Sequence, residues 1–152
     1  MRIASILATG LLLTLGGAAS IAGRQAPVTV EVYKSPTCGC CSKWVDHLRE
    51  HKFTVRTTDT DQVDAVKNKH GVPTAARSCH TALVAGYVIE GHVPAADLQR
   101  LLKERPAIVG LAVAGMPVGS PGMEGPPGRP ADPYDVLSFD KNGRTAVFSR
   151  HR

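Results

Sequence analysis

Val28-Thr29-Val30-Glu31-Val32-Tyr33-Lys34, then Ser35-Pro36-Thr37, then Cys38-Gly39-Cys40-Cys41, is the stretch on which the fold turns. Residues 28–34 alternate and are rich in β-branched side chains, which predicts a strand. Ser35-Pro36-Thr37 breaks it. From Cys41 to Lys52 the apolar residues Cys41, Trp44, Val45 and Leu48 recur at i, i+3, i+4 and i+7, one face of a helix. The cysteine cluster therefore stands where a strand hands over to a helix.

Working outward, Phe53–Thr58 reads as a second strand. Asp61–His70 reads as a short helix, with acids in its first turn, bases in its last and Gly71 as its stop. Thr81–Ala85 and Tyr87–Ile89 are strands joined at Gly86. Pro94 opens a helix that runs to about Arg105, with Leu98, Leu101 and Leu102 inward and Pro106 ending it. The order is β-α-β-α-β-β-α. With a cysteine motif between the first strand and first helix, that order predicts an α/β fold with a thioredoxin-like core. Gly115–Pro133 is dense in Gly and Pro and reads as a long loop carrying Met116 and Met123. Asp135–Phe139 and Arg144–Ser149 flank Asn142-Gly143, which predicts a C-terminal β-hairpin. No internal repeat is visible.

The chain opens as a secretory signal peptide does: Arg2, an uncharged apolar run from Ile3 to Leu15, then small residues to Ser20, with cleavage expected after Ala22. The expected organisation is thus a signal peptide over 1–22, a thioredoxin-like domain over 23–105, and the Met-bearing loop and hairpin over 106–152 packed on the same domain. The apolar run is short for a bilayer span, which takes about 20 residues, so an exported, soluble product is expected. Loss of Arg2 takes the net charge from +5 to +4. Lys and Arg are interspersed with Asp and Glu, which reads as solvated surface and argues against a nucleic-acid partner. At 152 residues and four cysteines, the chain is neither a solenoid nor a disulfide-dense miniprotein.

Three of those four cysteines fall within four residues. A helix N-terminus favours thiolate over thiol, and the thiolate is both the nucleophile and the metal ligand. Three readings stay open on spacing alone. Cys38 and Cys41 form a C-x-x-C pair that suits dithiol–disulfide cycling. Cys38, Cys40 and Cys41 together suit a soft metal such as Cu(I). A structural disulfide within the cluster or to Cys79 is the third. Zinc fits less well, because adjacent Cys40 and Cys41 do not spread tetrahedrally on one ion, although Cys79 or His92 could complete such a site. Cys79 lies just before the third strand, a junction that in a thioredoxin-like fold faces the start of the first helix. Its neighbour His80 is expected to point away, by strand alternation. His92 lies in the turn before the third helix, at the same end of the sheet. His47 and His51 are spaced for chelation but flanked by charge, and read as a solvated face. Met116 and Met123 have little core to fill and are candidate soft ligands.

The segments Lys34-Ser35-Pro36-Thr37-Cys38-Gly39-Cys40-Cys41, Gly71-Val72-Pro73, Arg77-Ser78-Cys79-His80-Thr81-Ala82, Gly86–Pro94 and Gly115–Glu124 resemble a family of periplasmic, thioredoxin-like proteins of the CopG-like copper-resistance type. The resemblance spans nearly the whole chain after the leader. It implies an exported protein that handles copper, as Cu(I), in homeostasis or resistance, with other periplasmic copper proteins as partners. Carried over, Cys38, Cys40, Cys41 and Cys79 are the metal-binding or redox cysteines, and His92, Met116 and Met123 fall in matching motifs. A thiol-linked Cu(I)/Cu(II) activity and a thiol–disulfide oxidoreductase using Cys38 and Cys41 are both expectations of such a site. The chain lacks the Trp-Cys-Gly-Pro-Cys site of thioredoxin, and Cys79-His80 replaces the proline that shapes the thioredoxin peptide groove.

Overall fold

A computed structural model describes residues 28–152, so the leader expected over 1–22 lies outside the described residues. The chain forms β1 (Thr29–Lys34), α1 (Gly39–Glu50), β2 (Thr54–Asp59), α2 (Val63–Lys69), β3 (Thr81–Val84), β4 (Tyr87–Glu90), α3 (Ala95–Glu104), β5 (Gly110–Ala112), β6 (Tyr134–Phe139) and β7 (Thr145–His151), with a 3-10 turn at Thr74–Ala76. The strands make one mixed sheet in the order β2-β1-β3-β4-β5-β6-β7. The first seven elements follow the β-α-β-α-β-β-α order expected from the sequence. β1 pairs parallel with β2 and antiparallel with β3, and β3 pairs antiparallel with β4. Among the described residues no helix is long and apolar enough to cross a membrane.

Strand alternation sends Val30, Val32, Ala82, Val84, Ile89 and Leu111 to one face, where they pack with Trp44, Val45 and Leu48 of α1 and Leu98 and Leu101 of α3. The residues buried on α1 are the four of the predicted stripe, Cys41, Trp44, Val45 and Leu48. The other face holds a smaller cluster of Val72, Ala76, Val88, Ala112 and Phe139.

Two elements depart from expectation. α1 starts at Gly39 with Cys38 as its cap, so Cys40 and Cys41 lie inside its first turn. It ends at Glu50, and Lys52 takes the left-handed conformation (φ 70°) that stops a helix. The C-terminal hairpin is also no appendage. β5 pairs parallel with β4 and antiparallel with β6, joining the hairpin to the sheet. β5 has only three paired residues in a continuous apolar run, so it carries no alternation to read. At Gly110 a Cβ would meet the Val88 carbonyl oxygen at 1.9 Å, so only glycine allows this close pairing.

His47 is not a bystander on a solvated face. Its Nε2 accepts the Ala95 N–H at the start of α3 (3.1 Å), tying α3 to α1. Burial, then the charge of His51, lowers the His47 pKa from 6.5, against the opposing carboxylates of Glu50 and Glu124. A lowered folded pKa means that the unfolded chain binds more protons, so this contribution is complete above pH 6.5 and is lost as pH falls through the folded value. His47→Ala is therefore expected to cost about 1 kcal/mol in urea unfolding at pH 7.5. The gap to the parent should narrow at pH 5; a gap that stays constant contradicts the capping role.

Candidate metal centre

Sheet register explains why distant residues meet. Tyr33 stands opposite Thr81, Thr81 opposite Glu90, and Glu90 opposite Ala112. One end of the sheet therefore launches four segments together. β1 leads out to Cys38, Cys79 leads into β3, β4 leads out to His92, and β5 leads out to Met116.

The result is a compact donor set. The sulfurs of Cys38, Cys40, Cys41 and Cys79 all lie within 4.8 Å of one another. Cys38 and Cys41 are joined as a disulfide, with Cα atoms 5.4 Å apart, while Cys40 and Cys79 are free thiols. Cys40 Sγ stands 3.5 Å from Cys38 Sγ. Cys41 is fully buried beneath the helix start. A second group shares Cys79: its sulfur and one nitrogen each of His80 and His92 also lie within 4.8 Å of one another.

His92 is held in a defined state. Its Nδ1 lies 2.7 Å from the Pro121 carbonyl, which can only accept, so Nδ1 carries the proton. Nε2 then presents its lone pair to Cys79 Sγ at 3.0 Å. Burial lowers the His92 pKa, which keeps the ring neutral and able to bind metal. His80 corrects the sequence expectation. It does not point away: it is fully buried with Nδ1 3.4 Å from Cys79 Sγ, and its ring packs on Trp44 at 4.4 Å. β3 begins only at Thr81, so strand alternation does not govern His80. Burial, then the nearby His92, pushes its pKa well below 6.5, and its Nε2 is a buried nitrogen with no hydrogen-bond partner. Burial, then neighbouring Cys40, pushes the Cys79 thiol up to about 11. Such a thiol keeps its proton near neutrality, and a soft cation that displaces the proton relieves both causes. Clustered sulfurs and neutral imidazoles therefore suit a thiophilic metal.

The Gly/Pro loop folds over this set. Gly115 accepts a hydrogen bond from the Ser78 hydroxyl, and its N–H donates to Arg77 (3.1 Å). Gly122 (φ +83°) lies so close to α1 that a Cβ would meet the Cys40 carbonyl and the Trp44 nitrogen, each at 2.8 Å. Glu124 caps the Gly122 N–H at 2.8 Å and faces Lys43. Met116 follows Gly115 and is 52% exposed, and Met123 follows Gly122 and is half-buried. Met116 thus adjoins a glycine bonded to Ser78, the residue before Cys79, and Met123 a glycine packed on the Cys40 backbone. Gly122→Ala is expected to lift Pro121 off His92 and weaken metal binding by about 10- to 100-fold, the range for losing the partner that orients a ligand. Chelator competition measures this; unchanged affinity means that the loop does not set the His92 ring.

Residues 76–123 match a family model described as protein of unknown function DUF411. That span holds Cys79, His80, His92, Met116 and Met123 and stops short of the helix-start cysteines. Among curated proteins, none matches the chain. Two solved structures resemble it, both described as copper resistance protein CopG. One is 42% identical with a TM-score of 0.78, covering 84% of this chain and 100% of that one. The other is 42% identical with a TM-score of 0.77, covering 83% and 98%. The chain belongs to the CopG copper-resistance family. Its CopG relatives are copper-resistance proteins, and its cysteine cluster is a potential metal site, which together point to a metal, copper foremost, as its ligand.

Proposed function

We propose that this chain is an exported Cu(I)-binding protein of copper tolerance, working in the periplasm and exchanging copper with other copper proteins there. The observation that carries this reading is the convergence of four sulfurs within 4.8 Å, with Cys79 also reached by two neutral histidines. Thiolate and thioether ligands select Cu(I) over harder ions, and a thiolate can bridge neighbouring metals. Cys38, Cys40, Cys41 and Cys79 supply the thiolates, His92 and His80 the imidazoles, and Met116 and Met123 soft entry ligands at the rim of the loop. The dithiol also offers a redox route. Oxidation of Cys38 and Cys41 to the disulfide releases two electrons and two protons, enough to reduce two Cu(II) to Cu(I).

The test is an anaerobic Cu(I) titration against a competing chelator, run on the fully reduced chain and on the chain with the Cys38–Cys41 bridge closed. Reduced protein is expected to bind tightly, and closure to weaken binding more than about a hundredfold because two thiolates are withdrawn. Equal affinity in both states contradicts the four-sulfur site. Tighter binding of Zn(II) than its chelator allows, with weak Cu(I) binding, favours a zinc site instead.

A second reading rests on the Cys38–Cys41 bridge at the start of α1, the position of a redox-active pair. In that reading the chain is a thiol–disulfide oxidoreductase for exported proteins. It requires insulin reduction that survives Cys40→Ser, together with no tight Cu(I) binding.

A further inference from the structure

We infer that Glu90 is a positioning residue for the Cys79-His80 segment, gripping it at both ends from beneath the sheet. Glu90 is fully buried at the end of β4. Its Oε1 accepts the Ser78 N–H at 2.6 Å, and its Oε2 accepts the Thr81 hydroxyl at 2.7 Å. Ser78 and Thr81 are the residues on either side of Cys79-His80. A single carboxylate therefore fixes both flanks of the segment that the two donor groups share. Buried Lys67, from α2, donates to Glu90 Oε1 at 2.7 Å and to Thr81 Oγ1 at 3.1 Å, balancing the charge. The Gly91 N–H donates to the His80 carbonyl at 3.0 Å, so the strand that carries Glu90 and leads to His92 also holds His80. Thr81 and Glu90 alternate with Ala82 and Ile89, which face α1, so their side chains act on the Cys79 segment from the other face of the sheet.

A buried charged network is costly to keep, and an apolar pair of similar size commonly packs at no loss of stability. Here the carboxylate does what apolar atoms cannot: it ties an otherwise irregular segment, 77–80, to a strand. This inference rests on the copper reading for its consequence, but its geometry can be read without copper.

The experiment compares two double variants in which the buried charge is removed from both partners. In Lys67→Met/Glu90→Gln the amide oxygen still accepts the Ser78 N–H and the amide N–H reaches Thr81. In Lys67→Met/Glu90→Leu neither tether remains. The Leu double is expected to unfold at a similar urea midpoint to the Gln double, yet to bind Cu(I) at least about tenfold more weakly. Its thiolate-to-Cu(I) near-ultraviolet band should change, while the Gln double keeps the parent's band. In the metal-free chain with the Cys38–Cys41 bridge closed, iodoacetamide should label Cys79 faster in the Leu double, read by peptide mass. Identical affinity, band and Cys79 labelling in the two doubles overturns the inference. Should the Leu double fail to fold, Thr81→Val carries the test, because it cuts one tether and adds no charge. Faster Cys79 labelling in it supports the inference, and labelling equal to the parent's overturns it. If the parent itself binds no Cu(I), the copper reading falls, and the labelling comparison still decides the role of Glu90.

Discussion

Cys79→Ser is expected to lower Cu(I) affinity more than about a hundredfold while leaving the fold intact. Cys79 is the one residue common to both donor groups, so its loss removes the fourth sulfur from the cluster and the sulfur that faces His92 and His80. The hydroxyl that replaces it is a hard donor with little affinity for Cu(I). Stability should hardly move, because Ser is close in shape and the side chain is only partly buried. Cys40→Ser is expected to cost less, since Cys40 belongs to one group alone. Competition with a Cu(I) chelator measures both variants. A Cys79→Ser chain that competes as well as the parent would sink the shared-sulfur arrangement, whatever the other cysteines do.

The second large effect is on folding. Lys67→Met alone leaves the Glu90 carboxylate buried beside Thr81 without its cation, although burial already pushes its pKa up. Removing one partner of a buried pair costs about 3–5 kcal/mol, far more than removing both. Urea unfolding of the single variant is expected to show that loss, and Lys67→Met/Glu90→Gln to recover most of it. A single variant within about 1 kcal/mol of the parent means that Glu90 finds its compensation elsewhere.

How much of this could be read from the chain depends on the kind of signal. The β1-to-α1 handover was legible because alternation and the Cys41, Trp44, Val45, Leu48 stripe are local patterns. The approach of Cys79 to the helix-start cysteines, and of His92 to Cys79, follows from strand order. His80 escapes the alternation rule because it lies one residue before the strand begins. Lys67 read as an ordinary last-turn base on a short helix, and nothing local shows that β4 offers it a carboxylate 23 residues later. The closure of the Gly/Pro loop over the cysteines was equally hidden. Gly122 and Pro121 act through backbone atoms, and composition reports that a loop exists without saying where it lands. The capping of α3 by His47 joins residues 48 apart through one ring nitrogen.

The proposed function makes one claim above the rest, that copper is held by the four cysteines with imidazole help. Copper-edge X-ray absorption on the reduced, Cu(I)-loaded chain tests it most directly. The account predicts a sulfur-dominated first shell with a minority nitrogen contribution that falls in His92→Ala and a sulfur count that falls in Cys79→Ser. A first shell of nitrogen and oxygen, or a sulfur count unchanged by Cys79→Ser, would contradict it.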